Sequence, residues 1–266
     1  MLHAPTRRRE RILLYGPSGA GKSTAWLSVA EWIKRTRSPA QMHVLDTDRT
    51  WDDMAPYDGH LDATVTAYPC DDWTPIREAI RTLEKIDASE DDWLVTDMAS
   101  RVWDRVQEKY FEQAYGKDLD EFYAIGELSK RAEAISGPHG VNWQAINKMY
   151  ATYSRLLMTR WPGHVLSCTP AANMREDISS DQKTIVQYPE FGRIGMRPQG
   201  QKDLAGQHRT ILFMQQAPSG WKMTTGKERN PPGLGDGDEG FRGYVEGEDV
   251  KDFVRTYLMS VGGWKL

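Results

Sequence analysis

The sequence predicts an α/β fold, a three-layer sandwich on a mainly parallel twisted sheet with antiparallel strands added towards the C-terminus. Three observations predict it. Short apolar runs of strand length alternate with longer segments of helical spacing through most of the chain. The runs are nearly unbroken, as strands covered on both faces require. Near the C-terminus, 209–216 (RTILFMQQ) and 221–225 (WKMTT) flank Pro218-Ser219-Gly220, the pattern of a hairpin.

Residues 11–15 (RILLY) make the first strand, and 23–35 follow with helical spacing through Trp26, Leu27, Val29, Ala30 and Ile33. The second strand, 41–46 (QMHVLD), breaks off into the acidic stretch 47–53. A third is expected over 61–68, with an amphipathic helix over 73–86 carrying Ile76, Ile80 and Leu83. The strand 92–97 (DWLVTD) ends in Asp97 before a helix over 101–115. After the polar, ambiguous stretch 116–140, a long helix carries Trp143, Ile146, Met149, Tyr150, Tyr153, Leu156 and Leu157, and stops before Trp161-Pro162-Gly163. The strand 163–169 (GHVLSCT) leads into 170–207, poor in apolar periodicity and expected as a long loop. Residues 1–229 form the expected core; 230–266 are a Gly/Asp-rich linker and an amphipathic helix over 248–259. No internal repeat is visible.

Composition bounds the function. A chain of 266 residues with 27% charged and 39% hydrophobic residues fits a globular protein. No apolar run reaches the ~20 residues that span a bilayer, and the early arginines precede a strand and no signal-like core, so no membrane partner and a cytoplasmic location are expected. Cys70 and Cys168 are isolated and expected as reduced, buried thiols. A net charge of −4 argues against general coating of nucleic acid while allowing a local basic face. The cluster Arg7-Arg8-Arg9-Glu10-Arg11 is read as a solvated arm or a nucleic-acid contact, and the ten tryptophans as core or subunit contacts first.

The chemistry starts at Gly16-Pro17-Ser18-Gly19-Ala20-Gly21-Lys22-Ser23, a GxxxxGKS loop between an apolar strand and a helix. Its glycines let backbone N–H groups and the helix start face phosphates. Lys22 neutralises the β/γ oxygens, Ser23 can ligate Mg2+, and Thr24 reaches the α-phosphate side. A nucleoside triphosphate with Mg2+ is therefore the expected ligand. Asp97 is the expected second magnesium carboxylate, or else a helix cap. In Asp46-Thr47-Asp48, residues i and i+2 share a strand side, so two carboxylates can point the same way and supply a general base; the alternative is a turn with Asp52 and Asp53.

In the order GPSGAGKS, VLDTD, WLVTD and VLSCT, the chain resembles the RecA-like ATPases, and more narrowly the small bacteriophage-type RecA/KaiC-like ATPases of single-strand annealing and recombination. The resemblance covers roughly 11–229. It implies a P-loop NTPase fold, ATP and Mg2+ as cofactors, and Asp48 as catalytic base where the family has a glutamate. That carboxylate is one methylene shorter, so slow hydrolysis is expected. It also makes Thr169 the counterpart of a γ-phosphate sensor. Lys227 and Arg229 match a KxR pair that reaches a neighbouring subunit's phosphate, against the alternative of a solvated turn. Arg175, Lys183, Arg193, Arg197 and Lys202, with Tyr188, Phe191 and Met196 as apolar or stacking surface, match the loop that contacts DNA. The implied partners are single-stranded DNA, further copies in a ring or filament, and a single-strand-binding protein; for a phage-encoded member the compartment is the host cytoplasm. Two other classes stay open: a P-loop nucleotide or small-molecule kinase, and a non-catalytic nucleotide-dependent loader or regulatory module.

Overall fold

The computed structural model describes residues 9–52, 61, 63–116, 142–174, 179–217, 220–228, 244–246 and 253–259. Its strands are β1 (Arg11–Gly16), β2 (Met42–Asp46), β3 (Val65–Pro69), β4 (Trp93–Asp97), β5 (His164–Asn173), β6 (Met196–Pro198), β7 (Thr210–Ala217), β8 (Gly220–Glu228) and β9 (Tyr244–Glu246). Eight of them form a mixed sheet in the order β3-β2-β4-β5-β1-β7-β8-β9, with β6 on the end of β5. From β3 to β7 every pairing is parallel; β8 and β9 add antiparallel. Every residue of β1, β2 and β4 is buried, which is why their sequences read as continuous apolar runs.

Helices cover both faces. They are α1 (Lys22–Arg35), α2 (Trp73–Leu83), α3 (Ala99–Tyr115), α4 (Trp143–Arg155, continued by a π-helical turn, Leu156–Arg160), α5 (Ser179–Gln187), α6 (Pro189–Ile194) and α7 (Leu204–Gln207). On one face Trp26, Val29 and Ile33 of α1 pack with Leu14, Val44, Val95, Leu166 and Leu212. On the other, Ile76 and Ile80 of α2, Val102 and Val106 of α3, and Ile146 and Tyr153 of α4 pack with Leu45, Leu94 and Val165. Alternate residues of each strand thus serve opposite layers, giving a helix–sheet–helix sandwich. Caps fix the helix starts: Asp72 accepts from Trp73 N at 2.6 Å, and Asn142 Oδ1 from Ala145 N at 3.1 Å.

Three expectations are corrected. The third strand begins at Val65 and not at 61, because the Thr64 N–H bonds back to the Leu61 carbonyl at 2.7 Å and closes a turn there. The stretch 170–207 is not a loop throughout: β5 extends to Asn173, and α5, α6, β6 and α7 follow. Arg11 is no free cation; it is buried, donating to the carbonyls of Glu10, Trp161 and Gly163, and burial pushes its pKa down to about 10. Beyond 229, β9 pairs with β8, and Phe253, together with Tyr257 and Leu258 of the π-helical turn Val254–Met259, is buried in the same cluster as α1. Cys70 and Cys168 are free and buried, as read, with burial pushing the Cys70 thiol up to about 12.

Candidate functional site

The chemistry-bearing residues collect at the C-terminal edge of the parallel strands, where β1 ends in Gly16, β2 in Asp46 and β4 in Asp97. Asp46 and Asp97 are aligned partners across the β2–β4 pair, so sheet register alone sets two carboxylates side by side. A side chain at Gly16 would place its Cβ 2.1 Å from the Met214 carbonyl oxygen of β7, so only glycine lets the loop leave the sheet here. Gly19 and Gly21 turn the loop at φ 73° and 81°, and the Ala20 N–H closes it on the Pro17 carbonyl at 3.2 Å. Pro17, Ser18 and Gly19 are exposed, Ala20 is buried, and Thr24 is half-buried.

α1 starts with no side-chain cap and no acidic residue in its first turn. Its hydrogen-bond ladder opens with the Ala25 N–H on the Gly21 carbonyl, so the N–H groups of Lys22, Ser23 and Thr24 form the open, positive end of the helix. Lys22 folds over the loop, Nζ donating to the carbonyls of Gly16 at 3.0 Å and Pro17 at 2.8 Å. Burial lowers the pKa of this ammonium, against the pull of Asp97 and Asp48.

Asp97 is 1% exposed. One carboxylate oxygen, Oδ2, accepts from Ser23 Oγ at 2.9 Å and from Trp26 Nε1 at 3.0 Å. The other, Oδ1, is buried without a hydrogen bond of ordinary geometry, although the Thr50 hydroxyl approaches the carboxylate. Burial raises the Asp97 pKa, Trp26 and Ser23 oppose it, and the neighbouring Asp46 charge raises it further. A hydroxyl beside a buried carboxylate with a spare oxygen, at an open helix start, fits Mg2+, a hard cation that keeps waters and takes phosphate oxygens. Among the described residues no three His, Cys, Asp or Glu side chains gather to hold a metal by themselves, so Mg2+ here would share its coordination with phosphates and water.

Asp46 and Asp48 part company, contrary to the expectation that both point one way. Asp46 accepts from the N–H groups of Thr50 at 3.0 Å and Trp51 at 2.9 Å, and so caps the turn that follows β2. The turn is possible because Arg49 adopts a left-handed φ of 55°. Thr47 donates its hydroxyl to the carbonyls of Asp97 and Met98, clamping the two strand ends together. Met98 is left-handed too, at φ 65°. Asp48 remains accessible, its side chain 33% exposed, with Oδ1 2.6 Å from Nη2 of Arg101 on the first turn of α3.

The other predicted residues lie further out. Thr169, aligned with Tyr15 of β1, donates its hydroxyl to the Gln199 carbonyl at 2.7 Å, while Cys168 next to it faces the start of α1. Lys227 pairs with Ile211 and thereby lies level with Leu13, towards the opposite edge from its own phosphate loop. Arg229 and Arg175 lie outside the described residues. Lys183, Arg193 and Lys202 are exposed and Arg197 is half-buried; β6 pairs with 171–173, beyond the level of the loop, so this segment caps the site's end of the sheet. The expected stacking surface is corrected: Phe191, 1% exposed, packs edge-on to Tyr15 with ring centroids 5.7 Å apart, and Tyr188 and Met196 pack around the same cluster. Sequence reasoning missed Trp26 and Arg101. Trp26 carries the i+3 spacing from Ser23, but that spacing was absorbed into the apolar face of α1.

The site defines an α/β protein with a glycine loop at an open helix start and strand-end carboxylates facing it. No family model matches the chain, and no curated protein matches it. No helix among the described residues is long and apolar enough to cross a membrane.

Proposed function

We propose that this protein is a RecA-like P-loop ATPase that binds ATP with Mg2+ at residues 16–24, hydrolyses it slowly, and works as an oligomer on single-stranded DNA. The observation that carries the reading is the 2.9 Å hydrogen bond from Ser23 to Asp97, which joins the start of α1 to the end of β4 across the intervening β5. In this reading the open N–H groups and Lys22 hold the β- and γ-phosphates, and Ser23 and Asp97 hold Mg2+. When bound, the ion neutralises charge developing on the phosphate oxygens. Trp26 positions Asp97, and Asp48 accepts a proton from the attacking water.

The register of β8 favours action between subunits. Lys227 lies near the end of β8, level with Leu13 and so away from its own loop, and a phosphate that the Lys227 and Arg229 pair reaches would belong to another copy. The exposed Lys183, Arg193 and Lys202 support the DNA reading by their place at the site's end of the sheet, as cations that track a phosphate backbone.

Phosphate release from ATP, measured with and without single-stranded DNA and with a panel of nucleosides, tests the proposal beside a Lys22→Ala control. Release that DNA stimulates and Lys22→Ala abolishes is the expected result. Transfer to a nucleoside would make the protein a kinase, and binding without turnover would make it a loader or regulatory module.

A further inference from the structure

Among the described residues Arg101 is the cation paired with the proposed base, and nothing in the sequence motifs calls for it. Its guanidinium stands 2.6 Å from Asp48. Through Thr47, whose hydroxyl is bonded to the Asp97 carbonyl, and through Asp97, bonded to Ser23 beside Lys22, this ion pair is tied to the start of α1. The backbone beneath it is fixed: Met98 is left-handed, the Arg101 N–H bonds to the Met98 carbonyl at 2.9 Å, and Thr47 bonds to that same carbonyl at 3.0 Å. The Arg101 side chain is not fixed in this way, being 43% exposed, and an exposed ion pair is held weakly.

A γ-phosphate held by Lys22 brings more negative charge into this cluster than Asp48 carries, and offers the planar, forked geometry of a guanidinium several oxygens. We propose that Arg101 exchanges partners with the state of the nucleotide. With the site empty it pairs with Asp48 and occupies the base; with a triphosphate bound it moves to the γ-phosphate and frees Asp48 to face water. A diphosphate lacks the competing group, so the pair with Asp48 re-forms after hydrolysis. Arg101 thus tells triphosphate from diphosphate within one chain, without a partner subunit. This inference rests on nucleotide binding at residues 16–24.

Equilibrium binding of a non-hydrolysable ATP analogue and of ADP, each with Mg2+, tests it without reference to turnover. Arg101→Ala should weaken the ATP analogue by about tenfold or more, the scale of one hydrogen bond to a charged partner, and leave ADP within about twofold. Asp48→Asn should do the reverse, tightening the analogue because Arg101 no longer has to leave a carboxylate. In Arg101→Ala/Asp48→Asn that gain should vanish. Arg101→Gln, which keeps a polar amide but loses the charge and reach of the guanidinium, should behave like Arg101→Ala, and thermal melts identify any variant that fails to fold. Equal losses for analogue and ADP, or none for either, would overturn the exchange while leaving the nucleotide reading intact. Failure of the unmodified protein to bind either nucleotide, with Lys22→Ala no different, would overturn both.

Discussion

Replacing Asp97 by Asn should make the nucleotide-free protein more stable and its site inert. The carboxylate is 1% exposed, and both of its good donors, Ser23 Oγ and Trp26 Nε1, converge on Oδ2. Oδ1 is buried without an adequate donor, and Asp46 lies across the strand pair. An asparagine can keep its carbonyl oxygen on Ser23 and Trp26 and turn its amide N–H groups towards Asp46, removing a buried charge while satisfying both sides. Relieving one unsatisfied buried polar group is worth about 2 kcal/mol. In a chain of 266 residues that corresponds to a Tm about 4–8 °C higher. The sign with pH follows from the raised pKa. The folded state binds the Asp97 proton more tightly than the unfolded chain, so the cost is fully present above the folded pKa. It shrinks as pH falls through that value and is gone below the ordinary 3.8. The advantage of the variant should therefore close as the solution is acidified. Differential scanning calorimetry across pH measures the gap, and nucleotide titration with Mg2+ or EDTA measures the site, where the variant should show no Mg2+ dependence. A lower Tm for Asp97→Asn would refute the reasoning, because it would mean that Lys22 and the open helix end already compensate the carboxylate in the empty site.

Gly16→Ala drives a Cβ to 2.1 Å from a β7 carbonyl and should cost about 3 kcal/mol or more, read as a fall in urea midpoint together with lost nucleotide binding. Trp26→Phe keeps the ring but deletes the donor to Asp97; it should raise the Mg2+ concentration needed for half-maximal nucleotide binding severalfold, with nucleotide affinity in EDTA unchanged. Arg11→Ala strands the buried carbonyls of Trp161 and Gly163 and should destabilise by about 2–4 kcal/mol without altering nucleotide affinity, since it acts at the opposite edge of the sheet. Mixed Lys22→Ala and Arg229→Ala subunits should regain part of the activity each lacks alone; no recovery would count against completion of the site by a second copy.

The strands and the phosphate loop were legible because each rests on local constraints: full burial on both faces, and a turn that only glycines can make. Asp97 was legible for the same reason, as the polar end of an apolar strand. The fates of Asp46 and Asp48 were not. Period-2 alternation holds only while the chain stays extended, and β2 ends at Asp46, where the left-handed Arg49 turns the backbone and sends one carboxylate to cap and the other to Arg101. Within 170–207, the helices have nine, six and four residues, too short to show a period, and they depend on distant contacts such as Phe191 on Tyr15.

The two edges of the sheet argue for the site more strongly than either does alone. At the edge where the parallel strands begin, charged groups are spent on the protein: Arg11 on buried carbonyls, and Asp92 on the N–H groups of Gln41 and Ser89, both at 2.7 Å. At the edge where they end, a carboxylate oxygen lies buried without a matching donor, a helix starts uncapped, and two non-glycine residues hold left-handed conformations that cost of order 1 kcal/mol each. The open carboxylate oxygen and the uncapped helix start thus stand together at the end where the strands finish. Both are answered by one kind of ligand, an anion with a hard cation: the anion caps the helix, and the cation meets the open oxygen of Asp97.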